Sequence, residues 1–258
     1  MNLEKTSQHI ISWLIDYSEN AKLDGFIIGV SGGVDSALTA TLCAKTKKKV
    51  ILLNMPIRQK STEYERSKKQ IKHLESNFDN VKGIEVNLSS SFQKLKEDLP
   101  DQTSSDELAM ANTRARLRMT TLYAIGQANR LLVTGTGNKV EDFGVGFFTK
   151  YGDGGVDLSP IADLMKSEVF KLAAHLNVIS EILSAKPTDG LWEDGRNDED
   201  QIGATYDELE WAMEFDSDES VLSSRELEVL EIYKKLHNIN KHKIEPIPVC
   251  KIPNKFKD

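Results

Sequence analysis

Cysteine is nearly missing from this chain: Cys43 and Cys250 are the only two in 258 residues, and they stand far apart. There is no CxxC pair and no Cys/His cluster, which excludes a disulfide framework and a cysteine-ligated zinc site. Long apolar runs are missing too; none approaches the roughly 20 residues that span a bilayer. The first residues lack the charged stretch followed by an apolar core that marks a signal peptide. These absences lead us to expect a cytoplasmic protein that is not in the membrane. Positive charge is in deficit, with 33 Lys+Arg against 40 Asp+Glu and a net charge of -7. A protein held to nucleic acid by bulk charge usually shows a pI above about 9, whereas this one has a pI near 5.4. No GxxxxGK[ST] loop is present, no GxGxxG follows a strand, and no internal repeat or low-complexity tract occurs. His9, His73, His175 and His237 are scattered and read as surface or helix residues rather than ligands.

What is present is an ordinary globular composition, with 39% hydrophobic and 28% charged residues, long enough to bury a large core without staples. Apolar residues at helical spacing predict a helix over 3–19, and further helices over 37–44, 62–78, 108–128, 163–176, 205–215 and 223–237. Short β-branched runs predict strands at 26–30, 50–55, 82–88 and 131–134. Strands alternating with helices predict an α/β fold: a single domain over 1–258, built as a doubly wound parallel sheet with helices on both faces and a helical C-terminal part. The stretch 186–202 reads as a Gly-, Asp- and Glu-rich loop, with Glu193, Asp194, Asp198, Glu199 and Asp200 among its acids. It reads as a mobile loop within the domain rather than a linker. Trp192 in that loop is read equally as a lid anchor and as a packing residue, and Phe147 and Phe148 as core or interface.

The first strand runs into Ser31-Gly-Gly-Val-Asp-Ser36, which then opens a helix. An open α/β sheet places ligands at that point, outside the carboxyl end of a strand. Gly32 and Gly33 let the backbone approach an anion, and the helix N-terminus presents free N–H groups at the positive end of its dipole. Ser31 and Ser36 add hydroxyls. A Walker loop would carry a Lys here; this loop carries Asp35, and a carboxylate beside phosphates requires a cation between them. A tight turn with Asp35 as a cap is the ordinary alternative.

The hexapeptide resembles the PP-loop of the N-type ATP pyrophosphatases, which cleave ATP between the α- and β-phosphates and adenylate a carboxylate or amide oxygen. Later segments distinguish among its branches. These are NTRARLRM at 112–119, GTGNKVE at 135–141, GFFTKYGDGG at 146–155 and SPIADLMK at 159–166. Together with KPTDGL at 186–191, GATYDE at 203–208 and the pair His242-Lys243, they resemble the NAD synthetase family in its ammonia-using form over nearly the whole chain. The glutamine-using form carries an added amidase domain, for which the length leaves no room.

The resemblance implies site residues one by one. The loop Gly29, Val30, Ser31, Gly32, Gly33, Val34, Asp35 and Ser36 would hold ATP phosphates. Thr136, Lys166 and Thr188 would be further ATP contacts, and Asp35 and Glu141 the Mg²⁺ ligands. Arg116, Lys150, Asp157, His242 and Lys243 would contact the dinucleotide deamido-NAD; after His242-Lys243 the chain continues as Ile-Glu-Pro, whereas some relatives carry a basic residue there. Asp35, Lys166 and Asp157 are the expected catalytic residues, with Asp157 assisting ammonium deprotonation. The resemblance also implies a homodimer and no nucleic-acid partner. The loops around 80–105 and 186–203 are the candidate lids that would keep water from a hydrolysable adenylate. Two rivals remain at this point. One is a PP-loop enzyme modifying tRNA or a base, which would want a basic surface or a sulfur-carrying cysteine. The other is a non-catalytic nucleotide sensor, which would have lost Asp35, Glu141 or Lys166.

Overall fold

The computed structural model describes residues 1–57, 61–185, 187 and 198–257. Its elements follow the chain as α1 (Leu3–Asn20), β1 (Gly25–Gly29), α2 (Val34–Lys45), β2 (Lys49–Asn54), α3 (Ser61–Asn77) and β3 (Val81–Glu85). Then come α4 (Ser89–Asp98), α5 (Asp101–Ser104), α6 (Glu107–Asn129), β4 (Leu131–Val133) and a π-helical turn at Lys139–Val145. The rest is helical: α7 (Lys166–His175), α8 (Ser180–Leu183), α9 (Asp198–Ile202), α10 (Tyr206–Glu214) and α11 (Ser224–Ile244).

The four strands form one parallel sheet in the order β3-β2-β1-β4. Successive strand side chains point to opposite faces, and the sheet is apolar on both. Phe26, Ile28, Val50, Leu52 and Leu132 pack on one side with residues of α1, α2, α3 and α7. Ile27, Ile51, Leu53 and Val133 pack on the other with Phe92 of α4 and Met110 of α6. Burial on both faces explains why β1, β2 and β4 read as continuous apolar runs rather than as alternations, whereas the edge strand β3 is half-exposed. A third cluster joins Val140 and Val145 of the π-helical turn to Tyr206, Leu209 and Ala212 of α10 and Val229 and Leu230 of α11. The C-terminal helices thereby pack onto the loop that follows β4.

Strand order sets the place of the site. The chain moves outward from β1 to β2 to β3, then returns to lay β4 on the other side of β1. Loops leaving the carboxyl ends of β1 and β4 therefore diverge and open a crevice between them.

Two expected loops are corrected. Residues 80–105 are mostly ordered secondary structure, with β3, α4 and α5 inside that range. Helix α4 buries only Phe92, although Leu88, Phe92, Leu95 and Leu99 recur at helical spacing across it. In 186–203, Asp198, Glu199 and Asp200 lie in α9, where all three occupy its first turn and complement the helix dipole. Glu193, Asp194, Trp192 and Thr188 lie outside the described residues. Helix α11 also runs on to Ile244, past the expected end at 237, and so carries His242 and Lys243 in its last turn.

Helix α7 is anchored by Leu172, which is fully buried. Truncation, Leu172→Ala, is expected to destabilise the protein by about 2–5 kcal/mol, the range for buried Leu-to-Ala changes. Chemical denaturation checks this through a lowered midpoint at unchanged slope.

Candidate active site

The loop after β1 is shaped by its own hydrogen bonds. Gly32 has φ +91°, and a Cβ there would lie 2.6 Å from the Glu63 carbonyl oxygen on α3, so glycine is required by both torsion and space. The Gly33 N–H donates to Ser31 Oγ at 3.2 Å, the Ser31 N–H to Ser36 Oγ at 3.2 Å, and the Ser36 hydroxyl to the Gly33 carbonyl at 3.0 Å. Ser36 is thus a buried brace of the turn rather than an open donor. Arg66 Nε donates to the Gly32 carbonyl at 3.2 Å.

Asp35 stands in the first turn of α2 and meets residues from the β4 loop. Lys166 Nζ lies 2.7 Å from Asp35 Oδ2 and 2.7 Å from Glu141 Oε1. Lys166 is 3% exposed. It is the first residue of α7, the wrong end of a helix dipole for a cation, and the two carboxylates hold it there. Asn138 ties the group together: Nδ2 donates to Asp35 Oδ1 at 3.0 Å, while Oδ1 accepts the N–H groups of Val140 and Glu141, each at 3.0 Å. The Tyr206 hydroxyl donates to Glu141 Oε1 at 2.5 Å.

Electrostatics follow from this geometry. Burial alone would pull the Lys166 ammonium down, but Asp35 and Glu141 more than offset it and its pKa is raised. Burial pushes Asp35 up, with Glu141 adding to it and Lys166 opposing. Burial acts on Glu141 in the same direction, but Lys166 and the Tyr206 hydroxyl prevail and its pKa falls. The pair therefore shares one ammonium, with Asp35 the weaker acid.

A cavity of about 680 Å³ opens on this group. Its walls include the Gly29–Ser36 loop, Thr136, Glu141 and Lys166, and a second set, Arg116, Lys150, His242 and Lys243. That second set is laced together. Arg116 Nε donates to the Lys150 carbonyl at 3.3 Å, Lys150 Nζ to the His242 carbonyl, and Lys243 Nζ to the Phe148 carbonyl at 2.7 Å. The residues expected to hold a phosphate-bearing ligand, distant in sequence, thus line one cleft. Asp157 departs from its expected place. It does not line the cavity; its carboxylate accepts the Val133 N–H at 2.7 Å and the Tyr123 hydroxyl at 3.0 Å. It fastens the end of β4. Thr188 cannot be placed, since it falls outside the described residues.

Three contributors were missed in the sequence. Asn138 and Tyr206 sit inside the segments GTGNKVE and GATYDE, and no spacing rule distinguishes them there. Asp142 follows Glu141 in the π-helical turn, a rare geometry frequent at functional sites. Its carboxyl is reached from the cavity yet ringed by protein atoms, and it packs on Gly137 where any Cβ would collide with it. Burial first, then the charges of Asp153, Glu141 and Asp35, hold its pKa well above the carboxylate range.

No group of three or more His, Cys, Asp or Glu suited to a metal occurs among the described residues. The donor set present, two carboxylates converging on one cation, nonetheless fits a hard divalent ion that takes one or two carboxylates and completes its shell with waters and phosphate oxygens.

Known proteins resemble this chain over most of its length. A family model described as NAD synthase matches residues 6–247. An NH(3)-dependent NAD(+) synthetase of Mesoplasma florum is 35% identical over 94% of this chain and 95% of its own. That of Carboxydothermus hydrogenoformans is 39% identical over 81% and 85%. Among solved structures, NMN synthetase from Francisella tularensis superposes with a TM-score of 0.86 at 31% identity, covering 98% of this chain and 100% of its own.

The Asp142 environment yields a pH prediction. An acid with a raised folded-state pKa keeps its proton longer in the native than in the unfolded state, so its stability contribution is lost as pH rises above the unfolded value. Asp142→Asn is therefore expected to raise the melting temperature by a few degrees at about pH 8 and to leave it unchanged at about pH 4. Calorimetric scans at the two pH values check this.

Proposed function

This chain belongs to the NAD synthase family, and we propose that it catalyses ATP-dependent amidation of deamido-NAD with ammonia to NAD, the last step of NAD biosynthesis. It is a ligase that forms a C–N bond. The observation that carries the reading is the single cleft in which a PP-loop, the Asp35–Lys166–Glu141 group and the Arg116–Lys150–His242–Lys243 rim face one another.

The chemistry starts from a poor acyl donor. Ammonia cannot displace oxide from the nicotinate carboxylate, so the carboxylate oxygen attacks the α-phosphorus of ATP and pyrophosphate leaves. The resulting acyl-adenylate then loses AMP when ammonia attacks its carbonyl carbon. In our reading Gly29, Val30, Ser31, Gly32, Gly33, Val34, Asp35 and Ser36 form the phosphate cradle, through backbone N–H groups at the N-terminus of α2. Lys166 neutralises charge on the departing pyrophosphate, and Thr136 contacts the nucleotide. Asp35 and Glu141 would hold Mg²⁺. When bound, that ion supplies Lewis-acid stabilisation of polyphosphate charge. Arg116, Lys150, His242 and Lys243 would orient the dinucleotide, and Arg116 suits a phosphate through its planar fork. Most of the rate enhancement is then positioning and charge stabilisation, with no protein nucleophile. Asp157, tied to β4 and Tyr123, serves this reading as a support of the cleft.

The same reading takes residues 1–258 as one catalytic domain, since the cleft draws on elements from Gly29 to Lys243. It places the enzyme in the cytoplasm, where ATP is drawn on. It also makes the protein a homodimer, a reading supported by exposed Trp13 and Tyr17 on α1 and Leu108 on α6. The Francisella relative, an NMN synthetase by name, favours one alternative: nicotinic acid mononucleotide as the substrate in place of the dinucleotide.

The decisive assay supplies ATP, Mg²⁺ and ammonium with either deamido-NAD or nicotinic acid mononucleotide. The expected products are NAD, AMP and pyrophosphate, with the dinucleotide preferred in kcat/KM. Preference for the mononucleotide would install the alternative; ADP and phosphate would refute the adenylation. Light scattering is expected to give a mass near twice 28.9 kDa, and a fully active monomer would refute the dimer.

A further inference from the structure

The segment GATYDE at 203–208 has so far been given no work in the reaction, yet it delivers a side chain to the centre of the site. Tyr206 opens α10 and is 7% exposed. Its place is set from several sides. Thr205 caps the helix by accepting the Glu208 N–H at 3.3 Å, and the Glu208 carboxylate accepts back from the Thr205 N–H at 2.8 Å. Arg225 of α11 clamps both Glu208 oxygens at 2.8 Å each, and the Tyr206 N–H donates to Glu199 Oε1 at 2.9 Å. A tyrosine fixed this firmly at its backbone has little freedom in where its hydroxyl points.

The hydroxyl reaches two carboxylates: Glu141 Oε1 at 2.5 Å and Asp198 Oδ2 at 3.2 Å. It has one proton to give, and the shorter contact assigns it to Glu141. Lys166 Nζ donates to the same Glu141 oxygen at 2.7 Å, and that ammonium stands 4.9 Å from the centre of the Tyr206 ring. The ring therefore backs the ammonium, and the hydroxyl fixes the rotation of the carboxylate that the ammonium touches. A carboxylate held by the ammonium and the hydroxyl on one oxygen is pre-oriented; without the hydroxyl, it can follow Lys166 when that side chain turns toward phosphate.

We propose that Tyr206 is a positioning residue for the metal-binding carboxylate: its hydroxyl orients Glu141 toward the divalent cation that accompanies ATP. The inference rests on the reading of Asp35 and Glu141 as the cation's ligands. Groups that orient a ligating carboxylate typically govern 10–100-fold in metal affinity or activity, and removing one donor while others remain should fall at the lower end of that range.

Tyr206→Phe keeps the ring and removes only the hydroxyl. The test titrates Mn²⁺ by electron paramagnetic resonance into full-length protein saturated with α,β-methylene-ATP, which cannot be cleaved at the reacting bond. The expected result is Mn²⁺ binding weakened about tenfold, with the Mg²⁺ concentration for half-maximal turnover raised by the same factor. The KM for deamido-NAD should stay near wild type, so that the change is confined to the metal, a pattern that a merely structural role would not give. Unchanged Mn²⁺ affinity overturns the inference, and so does weakening matched by an equal loss of nucleotide affinity without metal. Failure of the wild-type protein to bind Mn²⁺ would instead strike the reading of Asp35 and Glu141, which separates the two.

Discussion

One buried ammonium between two carboxylates organises this protein. Lys166 brings α7 to the PP-loop through Asp35 and to the π-helical turn through Glu141, so three segments distant in sequence meet at one atom. Each partner alone is in an unfavourable place: a cation at a helix N-terminus, and carboxylates out of bulk water beside one another. Desolvation of such groups is costly, and removing one member of a buried pair typically costs about 3–5 kcal/mol because the other charge is left without compensation. The group is therefore held as a unit, with Asn138 and Tyr206 satisfying what the charges leave over.

The same unit explains how an acidic chain handles anions. The net charge of -7 would repel a dinucleotide and a nucleoside triphosphate at long range, but salt screens such fields beyond about 8–10 Å. On the proposed function, local devices inside the cleft decide: the Gly-rich turn and helix N-terminus, with Arg116, Lys150 and Lys243 lining the same cavity. The rim depends on the third apolar cluster. Packing of α10 and α11 on the π-helical turn carries His242 and Lys243 to the loop of Phe148 and Lys150, so a part of the chain remote from the sheet completes the binding wall.

Legibility of the sequence varied with the physical origin of each feature. The strands were legible because a parallel sheet buried on both faces leaves unbroken apolar runs such as 26–30 and 50–55. The parallel sheet followed from the alternation of strands and helices, and the structure pairs β4 with β1. Helix α4 went unread although Leu88, Phe92, Leu95 and Leu99 recur at helical spacing, because Phe92 is its one buried residue in a run of polar and charged side chains. The end of α11 was missed because Asn238 and Asn240 resemble a stop, whereas Asn240 instead donates to the Val145 carbonyl at 2.9 Å and holds the helix on the π-helical turn.

The sequence by itself determined the chemistry: SGGVDS after a buried strand, Glu141 and Lys166 at their motif positions, and the family to which those motifs point. Local features carry such information because glycine torsions, helix starts and acidic or basic side chains keep their properties wherever the chain goes. Only the tertiary structure decided which groups touch. It put the Lys166 ammonium between Asp35 and Glu141, turned Asp157 away from the cleft to fasten β4, and brought Tyr206 and Asn138 onto the carboxylates. Those assignments depend on distances of about 3 Å between residues separated by up to 131 positions, and such distances are set by how helices pack on the sheet, which no local spacing encodes.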